Sequence, residues 1–140
     1  MRGVDPGQAL TELKQISAQV QDAVIFDESG SVVASTLAEE RAPAMALAAH
    51  RLLEQAGGAV EHGDQIVQIE ASLPEGSVIV AREGATAVAA TTVPDPTVGL
   101  IFYDLRTCLR SLKDEEEKSK PKPRRKPPAK KKDEEPDDAA

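Results

Sequence analysis

Residues 22–36, reading DAVIFDESGSVVAST, constrain the fold of this chain more than any other stretch. Two short apolar runs rich in β-branched residues are split by Asp27-Glu28-Ser29-Gly30, a pattern that predicts a β-hairpin. Gly30 supplies the position with φ above zero that such a turn needs. The hairpin has a helix on either side. Ahead of it, Asp5-Pro6-Gly7-Gln8 reads as an N-cap, a proline in the first helical position and a capping-box glutamine. Leu10, Leu13, Ile16 and Val20 then recur at helical spacing, so the first helix is expected to run to about Val20. After the hairpin, residues 42–56 read as a second helix with Pro43 in its first turn and Gly57-Gly58 as its stop.

On a helical wheel Met45, Ala46, Ala48, Ala49, Leu52, Leu53 and Ala56 share one arc, opposite His50, Arg51, Glu54 and Gln55. The arc is roughly 160° wide, enough to meet a sheet and a second surface. Residues 64–73 alternate: Val67, Ile69, Ala71 and Leu73 face one way, and Gln68, Glu70 and Ser72 the other. That predicts a half-buried antiparallel strand. Turns at Pro74-Glu75-Gly76 and Glu83-Gly84 bound a more central strand over 78–81, and 85–93 reads as the next. From Asp95 two signals compete. Residues 99–103 have strand propensity, but Val98, Ile101, Phe102, Leu105, Cys108, Leu109 and Leu112 keep a helical period. The longer periodicity decides for a helix. The expected architecture is α+β, in the order α-β-β-α-β-β-β-α, with helices packed on one five-stranded antiparallel sheet.

The globular part is expected to span 1–112. It holds 7 Lys/Arg against 15 Asp/Glu, a net charge of −8, so it should repel nucleic acid and anionic membranes. Residues 113–140 hold 10 and 9, a net +1. Their centre carries Lys118, Lys120, Lys122, Arg124, Arg125, Lys126, Lys130, Lys131 and Lys132 with four prolines and no acidic residue. Such a composition is expected to stay disordered and to offer a polyanion-binding tail for nucleic acid, an anionic membrane or an acidic protein surface. It could equally fold back on the acidic core. With no interleaved aromatics it should lack base stacking.

Cys108 stands alone, which excludes an intramolecular disulfide and fits a reducing compartment. With no signal-peptide pattern and no membrane-length apolar run, a cytoplasmic location is expected. His50 and His62 form no ligand cluster, so neither metal nor cofactor is expected, and His50 reads as a solvated helix residue. Cys108 falls on an apolar helix face and reads as a small core residue. There is no P-loop and no glycine-rich dinucleotide fingerprint. The carboxylates Asp27, Glu28, Glu39 and Glu40 read as turn and cap residues rather than a catalytic pair. Arg41, Arg51, Arg82, Arg106 and Arg110 are candidates for surface arginines.

Taken in order, four pieces resemble the Roadblock family, the dynein-light-chain Roadblock type that includes bacterial MglB-type regulators. They are the opening helix with Leu10 and Leu13, AVIFDESGSVVAS, the alanine-rich helix through His50-Arg51-Leu52-Leu53, and DPTVGLIFYDLRTCLRSL. The resemblance covers about residues 8–112. It implies a homodimer whose second helix and third strand pair with their counterparts, acting as a platform for a Ras-like small GTPase, sometimes as its activator. It brings no catalytic motif, so no enzyme activity is expected. The physical reading agrees, because an open third-strand edge is an aggregation liability that symmetric pairing would remove. Met45, Ala46, Ala49, Leu52 and Leu53 on the helix, with Ile66, Gln68 and Glu70 on the strand, are therefore the expected interface. Two rival readings use the same residues differently: a profilin-like or PAS-like sensor holding a small ligand between sheet and helices, and a polyanion-associated protein acting through its tail.

Overall fold

The structure, a computed structural model, describes residues 5–61 and 67–119. Helix α1 (Pro6–Ile16) starts where its cap dictates: the Asp5 carboxylate accepts a 2.8 Å hydrogen bond from the Gln8 amide. It is shorter than its apolar spacing predicts. Ser17 turns extended, Ile16 is 62% exposed, and Val20 opens strand β1 (Val20–Asp27) instead of a fourth helical position. In β1 the β-branched Val20 is buried opposite Thr92, a better home than an exposed helical end. Lys14 closes the corner by donating to the Gln21 carbonyl at 2.7 Å.

The hairpin to β2 (Val32–Ser35) forms as expected. The Asp27 carboxylate accepts from the Ser29 amide, the Ser29 hydroxyl and the Ser31 amide at 2.9–3.0 Å, and Gly30 has φ +86°. These bonds, that from Ser31 foremost, hold the Asp27 carboxyl below the usual carboxylate range. Helix α2 (Ala42–Gly57) follows, then β3 (Gln68–Leu73), β4 (Gly76–Glu83), β5 (Thr86–Thr92) and α3 (Val98–Ser119).

All pairings are antiparallel and the strand order is β2-β1-β5-β4-β3, so β2 and β3 are the two edges. Each face of the sheet has its own core. On one face α1 and α3 cover Ala23, Ile25, Ile79, Ala81, Val88 and Ala90. On the other α2 covers Val24, Phe26, Val80, Ala87 and Ala89. The alanines of the central strands let the helices sit close, which makes up for the scarcity of aromatic side chains.

Periodicity wins in α3: Ile101, Phe102, Leu105, Cys108 and Leu109 are all buried. The start of this helix is held by Gln19, whose side-chain Oε1 accepts from the Thr97 amide at 2.6 Å. The helix runs to Ser119, seven residues past the boundary expected at 112, since Lys113, Glu115, Glu116, Glu117 and Lys118 are good helix formers.

One carboxylate is buried between the two helices of this layer. Asp104 on α3 is held by the Ser17 hydroxyl, and burial pushes its pKa above the usual carboxylate value. A raised acid pKa favours the folded state at low pH, and that benefit is lost as pH rises through the folded pKa. Asp104→Asn keeps the shape and the acceptor for Ser17 but carries no charge. It should therefore melt at a higher temperature than wild type at pH 7, with the difference closing under acidic conditions. Paired thermal melts across that range test the sign.

Candidate functional site: an apolar flank beside an open strand edge

Helix α2 meets the sheet through Ala42, Ala46, Ala49 and Leu53, all buried within one chain. Three of the expected interface residues, Ala46, Ala49 and Leu53, are thus occupied in the chain's own core. Met45 and Leu52 are half-buried on one flank of the helix, and Ala48 and Ala56 extend the same flank. His50 and Glu54 occupy the other flank, towards the β1–β2 hairpin. The Met45 flank lies on the opposite side of the helix, and Met45 packs on the same core as Ile69 and Val78.

There the sheet continues the apolar surface. Alternation sends Val67, Ile69, Ala71 and Leu73 to the α2 side, and Val67 and Leu73 are 50% and 57% exposed. Met45, Ile69 and Val78 pack as half-buried hydrophobics on the same core. The outer edge of β3 has no strand partner among the described residues, because its ladder runs only to β4. An apolar helix flank, an apolar strip of sheet and, among the described residues, an unpaired strand edge therefore share the α2 side of the sheet.

Gln68 and Glu70, the other expected strand residues, lie on the α3 side of β3. Gln68 accepts from the Arg106 guanidinium of α3, and Glu70 from the Ser72 hydroxyl at 2.9 Å. Their backbone belongs to the free edge, but their side chains sit on the face away from the α2 flank. The alternation of 67–73 already held the signal that points to Val67, Ile69 and Leu73 instead. Ile66 lies outside the described residues, as do the tail cations from Lys120 onward; Lys118 falls within the last turn of α3.

His50 is not a solvated residue. Its Nε2 lies 2.9 Å from the Glu28 carbonyl, its ring stands edge-on to Phe26 with centroids 6.4 Å apart, and its side chain is 17% exposed. It ties α2 to the hairpin, and Gly30 lies directly against the ring. Of the arginines, Arg106 is engaged with Gln68, Arg110 pairs with Glu83 at 3.2 Å, Arg82 is half-buried, and Arg41 and Arg51 are exposed. Among the described residues no group of three or more His, Cys, Asp or Glu side chains could hold a metal ion. No helix there is long and apolar enough to cross a membrane.

Cys108 is buried, and desolvation, with the Glu12 charge adding to it, pushes its thiol up to about 11. At neutral pH it is almost entirely protonated. A thiol reagent should leave it unmodified in the native protein and label it at once in denaturant; fast native labelling would contradict this burial.

No protein-family model matches the sequence, and a search of curated proteins finds no match either. Solved structures do match. A Roadblock/LC7 domain from Streptomyces avermitilis is 20% identical, with 79% of this chain and 96% of that one covered and a TM-score of 0.71. MglB from Myxococcus xanthus is 12% identical, with 85% and 92% covered and a TM-score of 0.70. A profilin from Schizosaccharomyces pombe is more distant in shape, at 13% identity, 76% and 94% coverage and a TM-score of 0.53. The likeness spans nearly the whole of each neighbour at 20% identity or less, so what is shared is the architecture: this chain has the Roadblock/LC7 fold, within the wider profilin-like arrangement.

Proposed function

We propose that this chain is a homodimer paired through the β3 edge and the Met45–Leu52 flank of α2, and that the dimer is a non-enzymatic platform for a Ras-like small GTPase. The observation that carries the reading is the junction of the exposed Val67 and Leu73 with an unpaired strand edge. A free edge beside apolar surface invites pairing with another strand. A second copy offers the same edge antiparallel to itself, so one two-fold operation satisfies both. The GTPase part rests on the resemblance to Roadblock and MglB-type proteins and on the shared fold. In the ligand-sensor alternative, the groove beside His50 holds about 190 Å³, smaller than the roughly 300–1,000 Å³ of a small-molecule pocket.

Light-scattering mass of the full chain tests the dimer. Capture of purified Ras-like GTPases, loaded with GDP or a GTP analogue, tests the platform. Binding should survive removal of residues 120–140 if the folded part is the platform. A monomer at tens of micromolar would sink the pairing, and loss of GTPase capture with the tail would move the function to the tail.

A further inference from the structure

The edge of β3 can meet a second copy in only a few registers, and the residues along it separate them. The Arg82 amide donates to the Val67 carbonyl at 2.8 Å, and the ladder continues to Leu73 opposite Gly76 across the Pro74-Glu75 turn. Val67 and Arg82 are therefore a hydrogen-bonded pair, and in an antiparallel ladder every second pair after it is another. Val67, Ile69, Ala71 and Leu73 direct their backbone N–H and C=O groups to β4. Gln68, Glu70 and Ser72 direct theirs to the outer edge, with their side chains on the α3 side. An antiparallel second copy has to set these outward residues against its own outward residues. The two-fold axis then stands perpendicular to the sheet, and both α2 helices lie on one face.

Centring the axis on Glu70 pairs the whole of 67–73 with itself. On the α2 side Val67 then meets Leu73 of the second copy, so the two exposed apolar residues of the strip cover each other, and Ile69 meets Ala71. On the α3 side Gln68 faces Ser72. Moving the axis to Ile69 leaves Leu73 outside the paired run. Moving it to Ala71 leaves Val67 outside and sets Gln68 against Pro74, which has no N–H to donate. The register centred on Glu70 has one mismatch, because Glu70 lies opposite Glu70 of the second copy. Like charges directly opposite weaken a cross-strand pair. The surroundings offset part of this: each Glu70 accepts from the Ser72 hydroxyl at 2.9 Å, and Arg106 of α3 donates to Gln68, the next side chain along the same face.

We infer, on the basis of the self-pairing proposed above, that β3 joins a second copy in the register centred on Glu70, and that Glu70 limits the strength of this pairing. Apolar matching fixes the alignment. An axis at Ile69 suits the charges better, since it sets Glu70 against Gln68 and its Arg106, but it returns both Leu73 side chains to water. Burying a leucine outweighs a solvent-exposed charge contact. The axis therefore carries a pair of carboxylates flanked by a pair of guanidinium groups. Position 70 is where a neutral side chain tightens the dimer without moving the register.

Introduced cysteines in the full chain read the register after mild oxidation, with wild type as the blank because Cys108 is buried. Glu70→Cys should cross-link to itself, since opposed Cα atoms about 5.5 Å apart suit a disulfide. A mixture of Gln68→Cys and Ser72→Cys chains should cross-link too, and neither should do so alone. All of these positions are exposed, so the fold is not at stake. Ile69→Cys or Ala71→Cys cross-linking faster than Glu70→Cys would overturn the register and leave the pairing standing. Light-scattering mass before oxidation separates the two readings. The mass of one protomer would overturn the pairing itself, and a dimeric mass with no cross-link at 69, 70 or 71 would overturn the use of this edge. Glu70→Gln should dimerise with a Kd about three-fold lower than wild type. An equal or higher Kd would overturn the limiting role of Glu70.

Discussion

Gly76→Ala is expected to unfold the domain at temperatures where the wild type is intact. Gly76 begins β4 with φ +149°, and a Cβ there would stand 2.0 Å from the Thr92 carbonyl oxygen. The obstacle is backbone, so no side-chain rotation relieves it. Moving β4 away also strains the buried bond from the Ser77 amide to the Thr92 hydroxyl at 2.9 Å, at the junction of β4 and β5. A clash combined with a φ that side chains avoid belongs among the severe single substitutions, above about 3 kcal/mol. At about 4 °C or more per kcal/mol, the melting temperature should fall by roughly 12 °C or more. Gly84→Ala is the control. It shares a positive φ, +63°, but a Cβ there meets nothing within 4 Å, so the cost should be about 1–2 kcal/mol. Equal losses in the two variants would contradict the steric argument.

Leu52→Glu is expected to reduce the solution mass to that of one protomer and leave the fold intact. Leu52 sits half-buried on the α2 flank, whereas Leu53 beside it faces the sheet. A carboxylate at position 52 can stay in water in the single chain but is trapped without a partner when two flanks meet. A two-fold interface carries the change twice. At about 2 kcal/mol for each buried unpaired group, the pairing loses about 4 kcal/mol, near a thousand-fold in Kd. Light scattering reads the mass and circular dichroism the fold. Leu53→Glu should instead destroy the fold. A Leu52→Glu protein that keeps a dimeric mass would remove the α2 flank from the interface.

What could be read in the sequence depended on where the deciding contact lay. The hairpin was legible because Asp27 and Gly30 settle it within five residues. Helix α3 was legible because its apolar period is long. The end of α1 was not: Val20 fits a helical spacing by coincidence, and its partner Thr92 is remote in the chain. His50 looked solvated for the same reason, since its partner is a backbone carbonyl of the hairpin, which carries no side-chain signature. The wheel of α2 gave a wide apolar arc but not which part of it meets the sheet. That depends on where the helix lies over the strands, which puts Ala46, Ala49 and Leu53 down and leaves Met45 and Leu52 to one side. On β3 the alternation separated two faces, but only the position of α3 shows that Gln68 and Glu70 look away from the α2 flank. The extent of α3 is not legible because composition reports the loss of apolar residues, and a solvated helix needs none.

The pairing of β1 with β5 at the middle of the sheet also sets how the chain can fold. Val24 faces Ala89, more than sixty positions later. The β1–β2 hairpin and the β3–β4–β5 meander each close short loops and can form early. Neither has a complete core until the two meet along β1 and β5, and that meeting closes a long loop before its contacts repay the lost chain entropy. The rate of refolding is therefore expected to be set by the joining of these two halves, which folding and unfolding rates of variants in each half would test. Substitutions that loosen the Val24–Ala89 region should slow folding, whereas those in the outer strands should mainly speed unfolding.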